Sequence, residues 1–438
     1  MKIRKTEKSE KQITQAYRLA REQYKRLGVD TERALAQLAK IHISLNCWQG
    51  DDVAGFSATG GSASGGEPPR GNLGGVMPTG KYPGKARSGD ELRSDLSQAL
   101  KLIPGYHRVN LHAIYAETDG KLVERDELQP AHFERWIAWA KTRKLGLDFN
   151  GSFFSHPHAE SGMTLSHPDR GIPNFWVRHA KTCRRIGAAM GRRLGTTCTT
   201  NIWIPDGSKD MPVDRKTPRV LLKQSLDNIF SDYIRPAHSL DALEGKLFGL
   251  GSECYVVGSY DFYLAYAVAN RKLLCLDTGH FHPTESVADK LSAVLSQMDT
   301  VLLHISRGVR WDSDHVVTLT DELRLLAEEI VRGNYLQRVF IGLDFFDASI
   351  NRVAAWVIGA RCVQKAFLFA LLEPREILRK TELSGDFTSR LALFEELKTM
   401  PAGNVWDWYC LQKGTPVREQ WIKEIKKYER DVLTKRNN

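Results

Sequence analysis

The amino-acid sequence predicts an α/β fold, a (β/α)8 TIM barrel with an N-terminal helical extension and a C-terminal all-helical tail. Eight short apolar runs occur along the chain, and most are continuous rather than alternating, as is typical of parallel strands covered on both faces. Helical patterns separate most of these runs, and the number eight favours a closed barrel. A doubly wound open sheet is the alternative, but no Gly-x-Gly-x-x-Gly follows the first run to support it.

Each predicted element follows from local composition and spacing. The strands are predicted at residues 41–48, 109–115, 145–149, 198–204, 240–248, 273–277, 301–305 and 339–345. Helices are predicted at residues 131–144, 175–194, 219–234, 284–295, 321–331 and 350–372, where apolar residues recur at the helical period.

Three regions follow from this order. Residues 1–40 form the helical extension, because Ala16, Leu19 and Tyr24 recur at helical spacing and Gly28 can end the first helix. Residues 41–373 form the catalytic barrel. Residues 374–438 form a helical region whose apolar faces are expected to pack on the barrel or on another subunit.

A glycine-rich segment at residues 55–89 follows the first predicted strand and therefore lies at the catalytic face of a barrel. We interpret it as a lid loop. A phosphate-binding loop is the alternative, but Gly80-Lys81 is followed by Tyr82 where that motif needs Ser or Thr.

Composition indicates a cytoplasmic protein without a membrane span. The 438 residues include no stretch of eighteen apolar residues and no apolar segment after the charged N-terminus. The seven cysteines lack zinc-type spacing and are interpreted as reduced. The formal net charge of +10 could indicate a nucleic-acid partner. We do not favour one, because much of the excess lies on the terminal helices.

Polar residues stand at or near the C-terminal ends of the last four predicted strands. They are Glu244 and Lys246, Asp277 and His280, His304 with Asp312 and Asp314, and Asp344. The spacing of two between Glu244 and Lys246 predicts that both lie on one face of their strand. Singly, each has an ordinary explanation: His304 as a core histidine, Asp277 and Asp344 as helix caps, and Asp312-x-Asp314 as a solvated turn. Jointly, converging carboxylates would repel one another unless cations neutralise them. Oxygen and imidazole ligands in this number suit two divalent ions, Mn2+ or Mg2+ rather than Ca2+.

Several long segments resemble the L-rhamnose isomerase family, over nearly the whole chain. They include NCWQGDDV at 46–53, LDTGHFHPTE at 276–285, VRWDSDHVV at 309–317 and GLDFFDASINR at 342–352. The order of ligand-type residues also resembles the wider xylose-isomerase-like barrel superfamily.

The resemblance implies a Mn2+-dependent, homotetrameric isomerase that interconverts L-rhamnose and L-rhamnulose, with a hydride shift between C2 and C1 favoured over an enediol. It implies a structural ion held by Glu244, Asp277, His304 and Asp344, and a catalytic ion held by His280, Asp312 and Asp314 with Asp277 bridging. It further implies catalytic roles for Lys246 and His112, and a sugar pocket lined by Trp48, Trp203 and, near the methyl end, Val53.

Three rival functions remain open at this point. One is an isomerase or epimerase of the same superfamily that acts on another sugar. A metal-dependent endonuclease on a similar barrel would need three zinc ions and more His and Glu ligands than these. A non-enzymatic sugar-binding protein would have no need for Lys246 beside two ions.

Overall fold

The computed structural model describes residues 2–56, 80–249, 251–309 and 314–437. Within it, eight parallel strands close into a barrel, so the predicted fold class is confirmed. The barrel strands are β1 (Ile43–Asn46), β2 (Arg108–His112), β3 (Gly146–Asn150), β4 (Cys198–Ile202), β6 (Ser239–Glu244), β8 (Leu273–Asp277), β9 (Val301–Ile305) and β10 (Val339–Leu343). Most of the predicted lid, residues 57–79, lies outside the described residues.

The strands follow one another around the barrel in chain order, and β1 closes it by pairing with β10 at Ile43 and Ile341. Two short strands, β5 (Gly207–Ser208) and β7 (Tyr255–Val256), form a separate antiparallel pair. Because the barrel strands are parallel, their C-terminal ends meet at one mouth. The register there sets Asp277 opposite His304.

In the described chain, helices cover the barrel, and further helices precede it at the N-terminus and follow it at the C-terminus. They are α1 (Lys2–Arg26), α2 (Thr31–Leu38), α3 (Gly89–Leu102), α4 (Glu134–Thr142), α5 (Gly171–Leu194), α6 (Lys216–Ile229), α7 (Tyr260–Asn270), α8 (Val287–Leu295), α9 (Asp321–Arg332), α10 (Arg352–Leu371), α11 (Arg375–Leu383), α12 (Phe387–Leu397), α13 (Ala402–Gln412) and α14 (Gln420–Asp431). Helices α3 and α7 were not among the predicted elements.

Helix α10 begins at a cap and then runs through the protein interior. The Asn351 side chain accepts a hydrogen bond from the backbone N–H of Ala354 at the first turn. The helix is long and apolar enough to cross a membrane, but 72% of its most apolar 18-residue segment is buried inside the protein. Helix α10 is therefore interpreted as a core helix.

The terminal helices pack onto the rest of the chain. Tyr17 of α1 stacks on Trp408 of α13, with ring centroids 5.0 Å apart. Near the C-terminus, buried Arg436 donates to both carboxylate oxygens of Asp95 in α3, at 2.7 and 2.8 Å. Helix α12, by contrast, has no buried residue, and Phe387 and Leu391 are exposed on it.

Close packing of α5 on the barrel depends on glycine at residue 191. A Cβ atom at this position would lie 1.8 Å from the carbonyl oxygen of His238, just before β6. We expect Gly191→Ala to lower the free energy of unfolding by about 2–3 kcal/mol, since an overpacked backbone contact must be relieved by moving the helix.

The matched control is Gly403→Ala in α13, where a Cβ atom would meet nothing within 4 Å. This substitution is expected to change stability by less than about 1 kcal/mol, in the stabilising direction. Urea unfolding of both variants measures the difference, and equal stabilities would contradict the packing explanation.

Candidate active site

Four side chains from four neighbouring strands converge at the C-terminal mouth of the barrel. Glu244 ends β6, Asp277 ends β8, His304 is the fourth residue of β9, and Asp344 directly follows β10. Each offers a ligand atom within 4.8 Å of the others. Glu244, Asp277 and His304 are at most 2% exposed. The barrel thus gathers the four residues that the resemblance assigns to one ion.

A second group of ligand-type residues lies beside the first and shares one member with it. Asp277, His280 and Asp314 offer ligand atoms within 4.8 Å of one another. His280 Nδ1 lies 3.2 Å from Glu244 Oε1, so the two groups are contiguous. Asp312, predicted as a further ligand, lies outside the described residues. Asp277 therefore belongs to both groups.

The site holds closely spaced polar atoms that do not hydrogen-bond to one another. His304 Nδ1 lies 3.1 Å from Glu244 Oε2 and 3.0 Å from Asp344 Oδ2. Even so, neither ring nitrogen of His304 has a hydrogen-bond partner among the described residues, and the same holds for Glu244 Oε1 and Asp277 Oδ2. Buried polar atoms normally have partners. These residues therefore fit a divalent cation, which would satisfy several lone pairs at once.

Burial and mutual charge shift the pKa values of the group in opposite directions. Burial raises the pKa of Asp277, and nearby Asp344 and Glu244 add to that effect. Burial also acts against ionisation of Glu244, but the adjacent imidazoles outweigh it and lower the pKa of that carboxyl. For His304, burial is likewise outweighed, by Cys275 and the carboxylates, and the pKa rises well above its usual value. The protonation state of each of these residues therefore depends on that of its neighbours.

The orientation of Asp277 is set by two donors. The backbone N–H of Gly279 donates to Asp277 Oδ1 at 2.6 Å, and the hydroxyl of Ser306 donates to the same oxygen at 2.8 Å. The other oxygen, Oδ2, is buried and without a hydrogen-bond partner in the described part of the chain. This arrangement leaves Oδ2 available to a cation.

A cavity opens beside the two groups and combines polar and apolar walls. It is lined by Trp48, Val53, His112, Asn150, Phe154, Asn201, Trp203, Glu244, His280, Asp314, Asp344 and Phe346. All three predicted pocket residues, Trp48, Val53 and Trp203, are among them. Phe154 lies 6.0 Å from Trp203 and 5.6 Å from His112, measured between ring centroids. Such a cavity can bind a sugar, whose carbon faces are apolar and whose hydroxyls are polar.

His112 lines this cavity as a neutral imidazole. Burial lowers its pKa to about 4, although Asp344 and Glu244 oppose the shift. One ring nitrogen, Nδ1, lies 3.3 Å from the Ser152 hydroxyl, and the other, Nε2, lies 3.3 Å from Asn150 Nδ2. At neutral pH the ring therefore carries one proton and can accept another.

Lys246 lies outside the strand in which it was predicted. Strand β6 ends at Glu244, so the two residues do not share a strand face, and that part of the prediction was wrong. The backbone N–H of Lys246 donates instead to the carbonyl of Gly258. Its side chain is 5% exposed, and the ammonium lies 5.3 Å from the centroid of the Trp203 ring. Lys246 is thus adjacent to the cavity wall.

Sequence reasoning missed four residues of the site. Phe154 and Phe346 extend the apolar wall, Asn150 contacts His112, and Asn201 contacts Glu244. Asn201 donates from Nδ2 to Glu244 Oε2. The signal for the asparagines was present, since buried polar residues recur near the ends of the first four barrel strands. The phenylalanines lie in irregular segments after β3 and β10, where periodicity does not predict the direction of a side chain.

Comparison with known proteins identifies close relatives. The family model described as L-rhamnose isomerase (RhaA) matches residues 11–436. An L-rhamnose isomerase from Rhodopirellula baltica is 55% identical over 97% of this chain and 97% of its own length. One from Salmonella paratyphi B is 54% identical over 97% and 99%. A solved L-ribulose 3-epimerase is 12% identical with a TM-score of 0.47, covering 68% of this chain and 94% of its own.

Proposed function

The chain belongs to the L-rhamnose isomerase family, and from that premise we propose that it interconverts L-rhamnose and L-rhamnulose with two divalent ions, of which the catalytic one is Mn2+. It is an isomerase that interconverts an aldose and a ketose. The observation that carries the metal-dependent part is the pair of ligand groups that share Asp277 beside one cavity.

The proposed structural ion is held by Glu244, Asp277, His304 and Asp344. His280, Asp312 and Asp314, together with Asp277, would hold the proposed catalytic ion. Predominantly carboxylate ligands with one imidazole in each set favour Mn2+ or Mg2+ over Ca2+, and the imidazole favours Mn2+ of the two. When bound, the metal supplies Lewis-acid polarisation of the two oxygens on C1 and C2 of the sugar.

We assign His112 to the opening of the pyranose ring. Ring opening needs a proton removed from the O1 hydroxyl and a proton delivered to the ring oxygen. A neutral imidazole can accept one proton and donate another, and burial lowers the pKa of His112 to about 4, so that the ring is neutral at neutral pH. The contacts with Ser152 and Asn150 hold the ring plane in the cavity wall.

Lys246 is proposed to stabilise negative charge on a substrate oxygen while hydrogen moves between C2 and C1. Its ammonium is buried, so its charge is poorly screened and acts strongly on a nearby oxygen. We propose that the hydrogen moves as a hydride. Deuterium from solvent at C1 of the product would contradict this and would favour an enediol.

L-Rhamnose suits the cavity because it is a 6-deoxy sugar with an apolar end. Trp48, Val53, Phe154, Trp203 and Phe346 supply an apolar wall against which such an end can pack. An isomerase or epimerase acting on another sugar is the alternative, and a panel of aldoses separates the two functions.

The surroundings of the barrel support three further proposals. We propose a homotetramer in which the C-terminal region, residues 374–438, contributes contacts, because Leu383, Phe387 and Leu391 are exposed there. Sedimentation equilibrium tests it.

The N-terminal residues 1–40 and the barrel at residues 41–373 are proposed as the other two regions, with residues 55–89 as a lid. The cytoplasm is the proposed location, since all seven cysteines are unpaired thiols.

Removal of metal tests the two-ion proposal. Chelator-treated enzyme is expected to form no L-rhamnulose from L-rhamnose, and added Mn2+ is expected to restore the activity, because the sugar oxygens are polarised only when the ion is present. Equilibrium dialysis should find about two Mn2+ per chain in the native protein and about one in His280→Ala.

The control variant is His282→Ala. His282 is exposed, two residues beyond His280, and contacts Thr284 rather than the ligand groups. This variant should bind both ions and remain active. If metal-free and Mn2+-loaded proteins are equally inert on L-rhamnose, the substrate assignment fails, and other aldoses become the substrates to test.

Replacement of Lys246 tests the charge-stabilising role. Lys246→Met is expected to lower kcat by about 10²-fold with a smaller change in KM and in Mn2+ affinity, since the charge is needed most in the transition state. Lys272→Met is the matched control, because the Lys272 ammonium also lies over an aromatic ring, 4.2 Å from the Phe230 centroid, but pairs with Asp241 away from the cavity. Equal kcat values for the two variants would remove Lys246 from the mechanism.

A further inference from the structure

The turn that follows β1 has an unusual backbone conformation. Residues Cys47–Gly50 form one 3-10 turn, and two non-glycine residues after it have positive φ, Asp52 at 58° and Val53 at 59°. The left-handed region is unfavourable for L-residues and especially for a β-branched one such as valine. A turn of this kind persists only where surrounding contacts hold it.

One set of contacts holds the turn at Asp51. This residue is 0% exposed. Its Oδ1 accepts a hydrogen bond from the Tyr115 hydroxyl at 2.6 Å, and its Oδ2 accepts one from the backbone N–H of Gly55 at 2.7 Å. The Asp51 side chain therefore links the turn to Tyr115, in the segment after β2, and to Gly55, which follows the turn.

A second set holds the turn at Asp52. Arg352, the first residue of α10, donates from Nε to Asp52 Oδ1 at 2.7 Å and from Nη2 to Oδ2 at 2.8 Å. The Arg352 residue is 4% exposed, and its Nη1 donates to the carbonyl of Tyr82. A bidentate pair fixes orientation as well as distance. Because α10 is a core helix, Arg352 is a rigid anchor for the turn.

The held conformation directs Val53 towards the substrate cavity. Val53 is 7% exposed and lines the cavity together with Trp48, Phe154 and Trp203. Its backbone N–H donates to the carbonyl of Trp48 at 3.1 Å, which closes the turn. Another φ at this residue would turn the side chain away from that wall.

We propose that Arg352 is a positioning residue for sugar specificity: by holding Asp52, it keeps Val53 in the left-handed conformation in which its side chain packs against the methyl end of a 6-deoxy sugar. This inference depends on the proposed function, because it takes L-rhamnose as a substrate. L-Mannose is the natural probe, since it differs from L-rhamnose only by a hydroxyl on C6.

The measurement is the ratio of kcat/KM for L-rhamnose to kcat/KM for L-mannose. Val53→Gly should lower this ratio about tenfold, because an apolar contact the size of the valine side chain contributes roughly that factor to the discrimination between two substrates. Glycine accepts positive φ, so the variant removes the side chain without disturbing the turn. Arg352→Lys should lower the ratio by a similar factor, because lysine keeps the charge but cannot pair with both oxygens.

The double variant decides whether Arg352 acts through Val53. If it does, Arg352→Lys changes the ratio no further once Val53 is glycine. A purely structural role would instead lower kcat/KM for both sugars equally, in either background. Asp52→Asn breaks the same pair from the other side and serves where Arg352→Lys folds poorly. It should give the same loss of ratio.

The matched control is Arg184→Lys in α5. Arg184 is 2% exposed and pairs with Asp241 in the same bidentate way, at 2.8 and 3.0 Å, outside the cavity. It should lower the melting temperature and leave the ratio unchanged. An active native enzyme whose ratio does not respond to Arg352→Lys and Asp52→Asn overturns this inference alone. A native enzyme inert on both sugars overturns the proposed function, and this inference with it.

Discussion

The gathering of buried Glu244, buried Asp277 and partly buried Asp344 around His304 is the constraint on which the rest of the structure depends. Charged groups of one sign cannot be gathered in the interior of a protein without a compensating charge. The pKa of Glu244 is lowered and that of Asp277 is raised, as expected where carboxylates and imidazoles are crowded together in the protein interior. Four parallel strands of a closed barrel hold the groups together in spite of it, because their backbone hydrogen bonds leave the strand ends little freedom to separate.

The residues around this charged group determine what it can do. Asn201, Ser306 and the backbone of Gly279 donate to its carboxylates, and they leave Glu244 Oε1 and Asp277 Oδ2 without a hydrogen-bond partner among the described residues. His112, which lines the same cavity, is neutral at neutral pH because burial lowers its pKa to about 4. Under the proposed function, an uncharged imidazole beside the ligand groups would move protons on the sugar without adding further charge to the cavity.

The apolar wall of the cavity has a different physical basis from the ligand groups. It depends on aromatic packing and on a backbone turn whose φ values would be unfavourable in isolation. The contacts that hold the turn come from Tyr115 and Arg352, which lie on other elements. The shape of the apolar wall of the cavity is therefore determined by long-range contacts. The arrangement of the ligand groups is determined by the register of the barrel strands.

The sequence by itself determined the eight strands, their order, and the presence of a ligand-type side chain near the end of each of the last four. These follow from local composition, because apolar runs, helical periods and strand-end polar residues are visible within ten or twenty residues. It also carried the resemblance through which the ligands were divided between two ions. Helix α3 was missed although Ser88 and Glu91 provide its N-terminal signal, and Lys246 was assigned to a strand that ends at Glu244.

Only the tertiary structure decided that Phe154 and Phe346 line the cavity and that Arg352 pairs with Asp52. The latter two residues are 300 positions apart in the chain. They meet because β1 pairs with β10 and closes the barrel. No local period carries that information, since closure is a property of all eight strands together and a contact across it exists only once they have assembled.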